Sequence, residues 1–361
     1  MSTSPMSGSQ EDRATVSESP AGGKRPVTRR TRIVRVVLTL AGLGLFAALV
    51  ATSGAQALRT SLHPRIEYLG LMLVATVVVF LCASLRWGTI TNVLVGRKLF
   101  SYPAYFRFHA ATRMLAQYVS DLGGDLVGKS AILKGFGDLP IGVSAKAAIW
   151  NKAFDLLLAG LLSIPAILYA LDVVPILWVL VTAGGALLVF VLLTVSGAFG
   201  ALLDFGGRCL GGVLRRLPIK KLRSQPLPEG SRRDIRAFSR SQLMALCLLT
   251  LAKYVALLAR LIFLSAALDL DLPIAALLVG LPLSSLTLLL AITPGGLGVL
   301  EGGWYGILAL LGTPTEAIGP FLLGRRVYLM LIFAVIAALA YAPTAIAALL
   351  RRFRKHPPSL G

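Results

Sequence analysis

The sequence predicts an all-α polytopic integral membrane protein, and three observations support this fold class. Of the 361 residues, 56% are hydrophobic and only 14% are charged, whereas roughly a quarter of the residues in a soluble domain are charged. The mean hydropathy is +0.78, and several apolar runs reach the ~20 residues that a helix needs to cross a bilayer. The Lys and Arg residues cluster between these runs. This composition excludes an ordinary soluble enzyme and a disordered chain.

The two ends of the chain are basic and polar. Residues 1–32 are rich in Ser, Pro and Gly and have too few apolar residues to bury a core, so we expect a disordered basic cytoplasmic tail there. Residues 33–350 are predicted to form the transmembrane domain, beginning with a first span at Ile33–Ala51. Residues 351–361 are predicted to form a second basic cytoplasmic tail.

Five further spans follow the same apolar pattern. The first of these five, which is the second span of the chain, is expected to end on the cytoplasmic side at Arg86. They are predicted at Ile66–Trp87, Val143–Leu171, Val173–Val195, Ser241–Leu268 and Gly319–Leu350. The loop 204–240 carries ten Lys or Arg against three Asp or Glu, and loops with such an excess stay in the cytoplasm. Six spans then leave both termini inside, and the composition favours the cytoplasmic membrane of a bacterium.

Two further segments do not fit as simple spans, and each is expected to be a re-entrant hairpin. Segment 103–135 is expected to break at Asp121–Asp125, and segment 273–313 at Thr293–Gly298, where glycines interrupt the helical pattern. The neighbouring spans place both ends of each segment on one side of the membrane. Open backbone at membrane depth is tolerated only inside protein or beside water. Six spans and two hairpins can also be counted as eight membrane helices.

The two hairpins predict an inverted repeat. Leu122–Asp125 and Pro294–Leu297 occupy corresponding places, and each is followed by a short helix, a Gly/Pro loop and a span with charged early turns. Three predicted spans lie between the hairpins, and an odd number inverts the second copy relative to the first. Inverted repeats with interrupted helices near the bilayer midplane are typical of transporters.

The residues of the two glycine-rich turns are the first candidates for a site. Glycines allow a sharp turn, and helix N-termini present N–H groups that bind phosphate-like anions. The alternative is that the glycines only allow helices to pack closely. The candidates are Gly123, Gly124, Pro294, Gly295, Gly296 and Gly298.

Glu301, Arg325 and Arg326 are the next candidates, because ionisable residues inside a membrane are rare and are usually paired or functional. Glu301 can hold a cation, take a proton or pair with one of the two arginines. Each arginine can bind phosphate through its planar guanidinium or extend to the outer headgroups. We therefore predict either a headgroup site or a structural ion pair here.

Lys253 and Arg260 are seven residues apart in one span, so their side chains share a helix face. They are expected to line a cavity, with pairing to Asp155 or Glu301 as the alternative. Asp155 and Lys152 also share a face and can simply pair. Asp125 completes the candidate set from the first hairpin, whereas His109 is expected to be structural.

The charges expected at membrane depth are mostly positive. Such a balance is expected to favour an anionic ligand, such as a phospholipid or a lipid-linked phosphate. The basic residues are Arg113, Lys129, Lys152, Lys253, Arg260, Arg325 and Arg326, and the acidic ones are Asp121, Asp125, Asp155 and Glu301.

The run Pro294–Gly302 resembles the PGGxGxxE signature of the flippase-like membrane domain of lysylphosphatidylglycerol synthases. Asp121–Val127, Ser130–Leu133 and Asn151–Asp155 resemble that family's first-half pattern. The resemblance covers roughly residues 35–350 and implies a stand-alone membrane protein that moves a polar lipid or glycolipid between leaflets. The soluble aminoacyl-transfer domain of the full synthases is expected to be absent.

The function expected from these features is that of a translocator, which binds an anionic lipid or moves it between leaflets. One alternative is an accessory or assembly subunit of a lipid or cell-envelope biosynthetic enzyme, with loop 204–240 as its docking surface. Another is a lipid-linked transferase, which would need a general base or metal ligands. The sequence has no HExxH, GxSxG or CxxC motif. We therefore expect no catalytic residue, no metal, no cofactor and no nucleic-acid partner.

Overall fold

The computed structural model describes Leu40, Gly44 and residues 62–118, 121–201, 238–287 and 294–355. The helices of these residues are α1 (Ile66–Val95), α2 (Tyr102–Ala116), α3 (Asp121–Gly137), α4 (Ile141–Ala170), α5 (Ile176–Val195), α6 (Arg240–Ala267), α7 (Ile274–Thr287), α8 (Val299–Leu310) and α9 (Thr315–Lys355), with a 3-10 turn at Pro294–Gly296. No strand occurs in these ranges. The tail 1–32, the span Ile33–Ala51 apart from Leu40 and Gly44, and residues 204–237 of the basic loop lie outside them.

Five of the helices are long and apolar enough to cross a membrane, which confirms the all-α polytopic fold. They are Ile66–Val95, Gly142–Ala170, Ile176–Val195, Arg240–Ala267 and Thr315–Thr344. Each corresponds to one predicted span. The last helix continues to Lys355, so the first residues of the predicted basic tail at 351–361 are helical.

The predicted end of the second span, at Arg86, is wrong. Helix α1 runs on through eight more residues after Trp87 and ends where Gly96 adopts a left-handed conformation with φ of 73°, a common helix terminator. Arg86 therefore lies inside the helix, and its side chain is completely buried. The helix continues because apolar residues follow Arg86 as well as precede it.

The first hairpin breaks at a different place from the one predicted. Helix α2 ends at Ala116 and α3 begins at Asp121, so Asp121–Asp125 belong to a helix and not to an open turn. Gly124 has a packing role instead, because a Cβ atom there would lie 2.6 Å from the Cα atom of Ala116. The alternative of close helix packing therefore applies to this glycine.

The second hairpin has the predicted open turn. Gly295, Gly296 and Gly298 have φ values of 57°, 71° and 78°, a region that glycine enters at little cost. Helix α8 has 12 residues and is about 18 Å long, which is short of the ~30 Å hydrocarbon core. That the hairpins re-enter the membrane stays a prediction.

The packing of the helices is compatible with the predicted inverted repeat, which stays a prediction. The backbone N–H of Arg65, before α1, donates to the carbonyl of Ala267 at the end of α6 at 2.8 Å, and Arg86 donates to Thr250 further along both helices. The two helices that open the repeats are therefore antiparallel. The contacts between the two halves also match each other. Helix α2 of the first half packs on α9 of the second, and α7 of the second half packs on α4 of the first.

The structure has two apolar cores, one mainly in each half, and α1, α2 and α6 contribute to both. One core surrounds Trp87, Trp150 and Phe154 and joins the helices of the first half. The other surrounds Trp304 and Phe321 and joins those of the second half. The shared helices α1, α2 and α6 therefore hold the two halves together.

Replacing Gly124 with Ala should lower the melting temperature of the purified protein, because the added methyl group would overlap the backbone of α2. Overpacking of this kind typically costs about 1–3 kcal/mol. Gly160→Ala is the matched control, because a Cβ atom at Gly160 meets nothing within 4 Å, and Ala is the better helix former. Equal melting temperatures for the two variants would contradict the packing role of Gly124.

Candidate functional site

A cavity of about 170 Å³ lies where the two halves meet, and its walls include both hairpins. Among the described residues, seven basic and two acidic side chains line it. These are Arg113, Lys129, Lys152, Lys253, Arg260, Arg325 and Arg326, with Asp125 and Asp155. The seven basic residues are the ones that the sequence placed at membrane depth.

The Asp155 carboxylate joins three helices at the cavity wall. Its two oxygens lie 2.7 Å from Nη2 of Arg86 in α1 and 2.6 Å from Nζ of Lys253 in α6. Arg86 also donates to the side chain and the carbonyl of Asn151 and to the hydroxyl of Thr250, at 2.8–3.0 Å. The buried guanidinium is thus paired with a charge and hydrogen-bonded on several sides, which is what a charge away from water requires.

This cluster resolves the alternatives for Lys253, because the lysine both pairs with Asp155 and borders the cavity. Arg86 was not predicted as a site residue, because the sequence pattern indicated a helix end there. The signal that identifies it is the apolar stretch on both sides of the arginine, because a charge in the interior of a span requires a partner.

A second ion pair lies within α3 of the first hairpin. Nζ of Lys129 is 2.9 Å from Oδ2 of Asp125, with the two residues one helical turn apart. Both side chains are at least 95% buried, and the lysine ammonium lies 5.4 Å from the centroid of the Trp87 ring. One of the seven basic groups is therefore neutralised at short range and also contacts an aromatic ring.

Glu301 and Arg326 hold the open turn of the second hairpin against α9. The N–H of Gly298 donates to Oε2 of Glu301 at 2.8 Å, and Nη1 of Arg326 donates to the carbonyl of Gly295 at 2.7 Å. Nη1 of Arg326 also lies 3.6 Å from Oε1 of Glu301, whose side chain is fully buried. Of the predicted roles for Glu301, pairing with Arg326 is the one present in the structure.

The predicted role of Gly298 as an N–H donor to an anionic headgroup is wrong for this conformation, because its N–H already donates to Glu301. The turn instead holds the side chain of Arg326, which lines the cavity. Arg325 contacts another residue of the wall, with its guanidinium carbon 5.7 Å from the centroid of the Trp304 ring. Both arginines line the cavity.

The turns of the two hairpins touch beside the cavity. A Cβ atom at Gly295 would lie 2.6 Å from the carbonyl oxygen of Gln117, which follows α2, and 2.5 Å from Nη2 of Arg326. Gln117 and Gly295 both line the cavity. Only glycine fits at position 295, because the space is filled and φ is positive.

The structure brings most of the predicted site residues together. Asp125, Lys152, Asp155, Lys253, Arg260, Gly295, Arg325 and Arg326 line the cavity. Pro294, Gly296, Gly298 and Glu301 belong to the turn beside it or to the helix that follows. Gly123 and Gly124 lie in α3, and Gly124 does not line the cavity. Several neutral wall residues were not predicted, among them Gln117, Thr250, Ser284 and Ser285. Arg86, which contacts Asp155 behind the wall, was not predicted either.

Replacing Asp155 with Asn should destabilise the protein strongly, because Arg86 and Lys253 would lose their shared counter-charge inside the protein. Breaking a buried pair typically costs about 3–5 kcal/mol. Asp269→Asn is the matched control, because the Arg65–Asp269 pair has the same 2.7 Å separation but is mostly exposed, and such pairs contribute about 0–1 kcal/mol. Similar melting temperatures for the two variants would rule out a structural role for Asp155.

Comparison with known families identifies the chain over most of its length. Residues 32–338 match the family described as Lysylphosphatidylglycerol synthase TM region. This range contains both hairpins and every residue of the cavity wall. A comparison with curated proteins gives no match. The chain therefore belongs to the family of lysylphosphatidylglycerol synthase transmembrane regions.

Proposed function

We propose that the protein binds the anionic headgroup of a membrane lipid in this cavity and moves that lipid between leaflets without changing it chemically. The observation that supports this most directly is the wall of seven basic and two acidic side chains inside a membrane domain. The family relates the protein to lipid biosynthesis or translocation. Translocation of an anionic lipid is the more specific activity that we propose.

Electrostatics favours a phosphate as the ligand. Cations buried in a membrane protein are costly unless they are paired, and Asp155 and Asp125 pair with Arg86, Lys253 and Lys129. A phosphate adds counter-charge to a wall that remains positive. Arginine is well suited to this ligand, because its planar fork can donate two hydrogen bonds to one phosphate.

The size of the cavity favours a headgroup over a whole lipid. A cavity of about 150 Å³ can hold a ligand the size of benzene, and this one is about 170 Å³. A phosphate with a small polar substituent therefore fits, whereas acyl chains do not. In the proposed mechanism the headgroup enters the cavity while the chains stay in the lipid.

The inverted repeat supports movement between leaflets, because transporters of this architecture open their site to one side at a time by motion of one half against the other. We place the protein in the cytoplasmic membrane of a bacterium with both termini in the cytoplasm, from the positive charge of loop 204–240 and the C-terminal residues.

Arg325→Gln should reduce the amount of anionic lipid that co-purifies with the protein about tenfold, because a charged donor is removed from the cavity wall. Native mass spectrometry with lipid analysis measures this. Arg97→Gln is the matched control, because Arg97 is exposed and lies outside the cavity. Bound lipid that mirrors the bulk membrane and is the same in both variants would favour the alternative of an assembly subunit.

Proteoliposomes containing the full chain should exchange a fluorescently labelled anionic phospholipid between leaflets faster than protein-free vesicles. A labelled lipid with a zwitterionic headgroup should move more slowly, because the positive wall repels its ammonium group. Quenching of the outer-leaflet label measures both rates. Equal rates with and without protein, in vesicles where the protein is folded, would overturn translocation and leave only binding.

A further inference from the structure

The contact between Lys253 and Asp155 crosses from one half of the repeat to the other. Nζ of Lys253, in α6 of the second half, lies 2.6 Å from Oδ2 of Asp155, in α4 of the first half. Nη2 of Arg86 lies 2.7 Å from the other carboxylate oxygen and belongs to the same half as Asp155. Motion of the halves against each other therefore has to break or rearrange the lysine contact, whereas the arginine contact can stay.

The three charges of this cluster do not cancel. One carboxylate faces two cations, and among the described residues the other acidic side chain of the cavity wall, Asp125, is paired with Lys129. An unbalanced charge inside a membrane domain is costly. Arginine stays protonated in proteins, whereas a lysine can lose its proton. Release of a proton from Lys253 would leave Arg86 and Asp155 as a balanced pair.

Lys253 borders the cavity, so its proton can be exchanged with water there. The side chains of Lys253 and Asp155 are 15% and 23% exposed, and both line the cavity. A polar cavity of about 170 Å³ has room for water. The buried arginine of the cluster cannot exchange a proton in this way, so the lysine is the member that can change its charge.

Most of the other charged groups near Lys253 are basic. In the part of the chain that the structure describes, the charged and titratable side chains that border the cavity or act on Lys253 are Cys82 and Arg86 of α1, His109 and Arg113 of α2, Asp125 and Lys129 of α3, Lys152 and Asp155 of α4, Tyr254 and Arg260 of α6, and Arg325 and Arg326 of α9. Helices α5 and α7, which also pack on α6, contain no titratable side chain. A positive charge on Lys253 is therefore repelled by most of its charged surroundings, whereas an anion in the cavity attracts it.

We propose that Lys253 is a proton-binding site and that the protein moves one proton with each anion that it carries. This inference rests on the proposed function and adds a second transported ion to it. Lys253 takes up the proton first, which places a cation in the wall, and the anion then binds beside this cation. The anion offsets the charge of the proton, so the two ions cross together without a net change in charge.

Release reverses these steps. After the anion leaves, an N–H bond of the Lys253 ammonium group breaks, the electron pair stays on Nζ, and a water molecule in the cavity takes the proton. Arg86 and Asp155 remain as a balanced pair within one half. The lysine contact between the halves is then uncharged, which lets the empty protein return to its starting conformation.

The first test uses proteoliposomes that contain the full chain and a trace of phosphatidylmethanol labelled on an acyl chain, with valinomycin and potassium to hold the membrane potential at zero. The phosphodiester of this probe stays anionic at neutral pH. When the external pH is one unit below that of the lumen, the label should accumulate up to about tenfold in the inner leaflet, because the proton concentrations differ tenfold. Quenching of the outer-leaflet label measures the distribution, and protein-free vesicles give the passive movement.

Lys253→Arg should still exchange the probe between leaflets but should not accumulate it in response to the pH difference. The variant keeps a cation beside Asp155 but cannot release its proton. Lys134→Arg is the matched control, because Lys134 is exposed and lies outside the cavity. It should accumulate the probe as the unmodified protein does.

A second measurement follows binding of the same probe in detergent by fluorescence anisotropy at a series of pH values. The affinity of the unmodified protein should fall by up to about tenfold per pH unit on the alkaline side, because the anion binds to the protonated form of Lys253. Lys253→Arg should bind with nearly the same affinity throughout, and Lys134→Arg should behave like the unmodified protein.

The outcomes separate this inference from the proposed function. Exchange of the probe without accumulation by the unmodified protein overturns proton coupling and leaves translocation intact. Exchange no faster than in protein-free vesicles overturns the proposed function and the coupling with it. An unchanged response to the pH difference in folded Lys253→Arg overturns the role of Lys253. If that variant does not fold, binding by the unmodified protein that does not change with pH still overturns the inference.

Discussion

The ionic contact of Asp155 with Arg86 and Lys253 is the interaction on which the rest of the structure depends. It joins α1 and α4 of the first half to α6 of the second, and both α1 and α6 also contribute to the two apolar cores. Opposite charges attract strongly where little water screens them. The centre of the molecule is thus held by electrostatics within an apolar surrounding, and the cavity lies directly beside this contact.

The two hairpins occupy equivalent places but are stabilised differently. The first is closed by helix contact, where Gly124 lets α3 approach Ala116 of α2. The second has an open turn that Glu301 and Arg326 hold by hydrogen bonds and charge. The sequence pattern suggested two similar turns, because Gly-Gly occurs in both. A Gly-Gly pair is compatible with a helix as well as with a left-handed turn, so the surroundings decide.

The fold and the basic wall were predictable because charges are conspicuous among apolar residues. All seven basic residues of the wall were identified in this way. Arg86 was misplaced because a charge near the end of an apolar run resembles a membrane-interface residue. Gln117, Asn151 and Thr250 were not identified as site residues, since neutral polar side chains carry little positional signal in a helix. These three residues reach the site because of the way their helices pack together, and the sequence of a single helix does not specify that packing.

Several of the cations in the wall are held in place before any ligand arrives. Lys129 is fixed by Asp125, Lys253 by Asp155, and Arg326 by the carbonyl of Gly295. Long basic side chains normally lose conformational entropy when they bind, and groups ordered beforehand avoid part of this cost. An arginine has five N–H donors, so Arg326 can keep the turn and still contact an anion. The cavity is in this sense preorganised, and its affinity depends on partners that never contact the ligand.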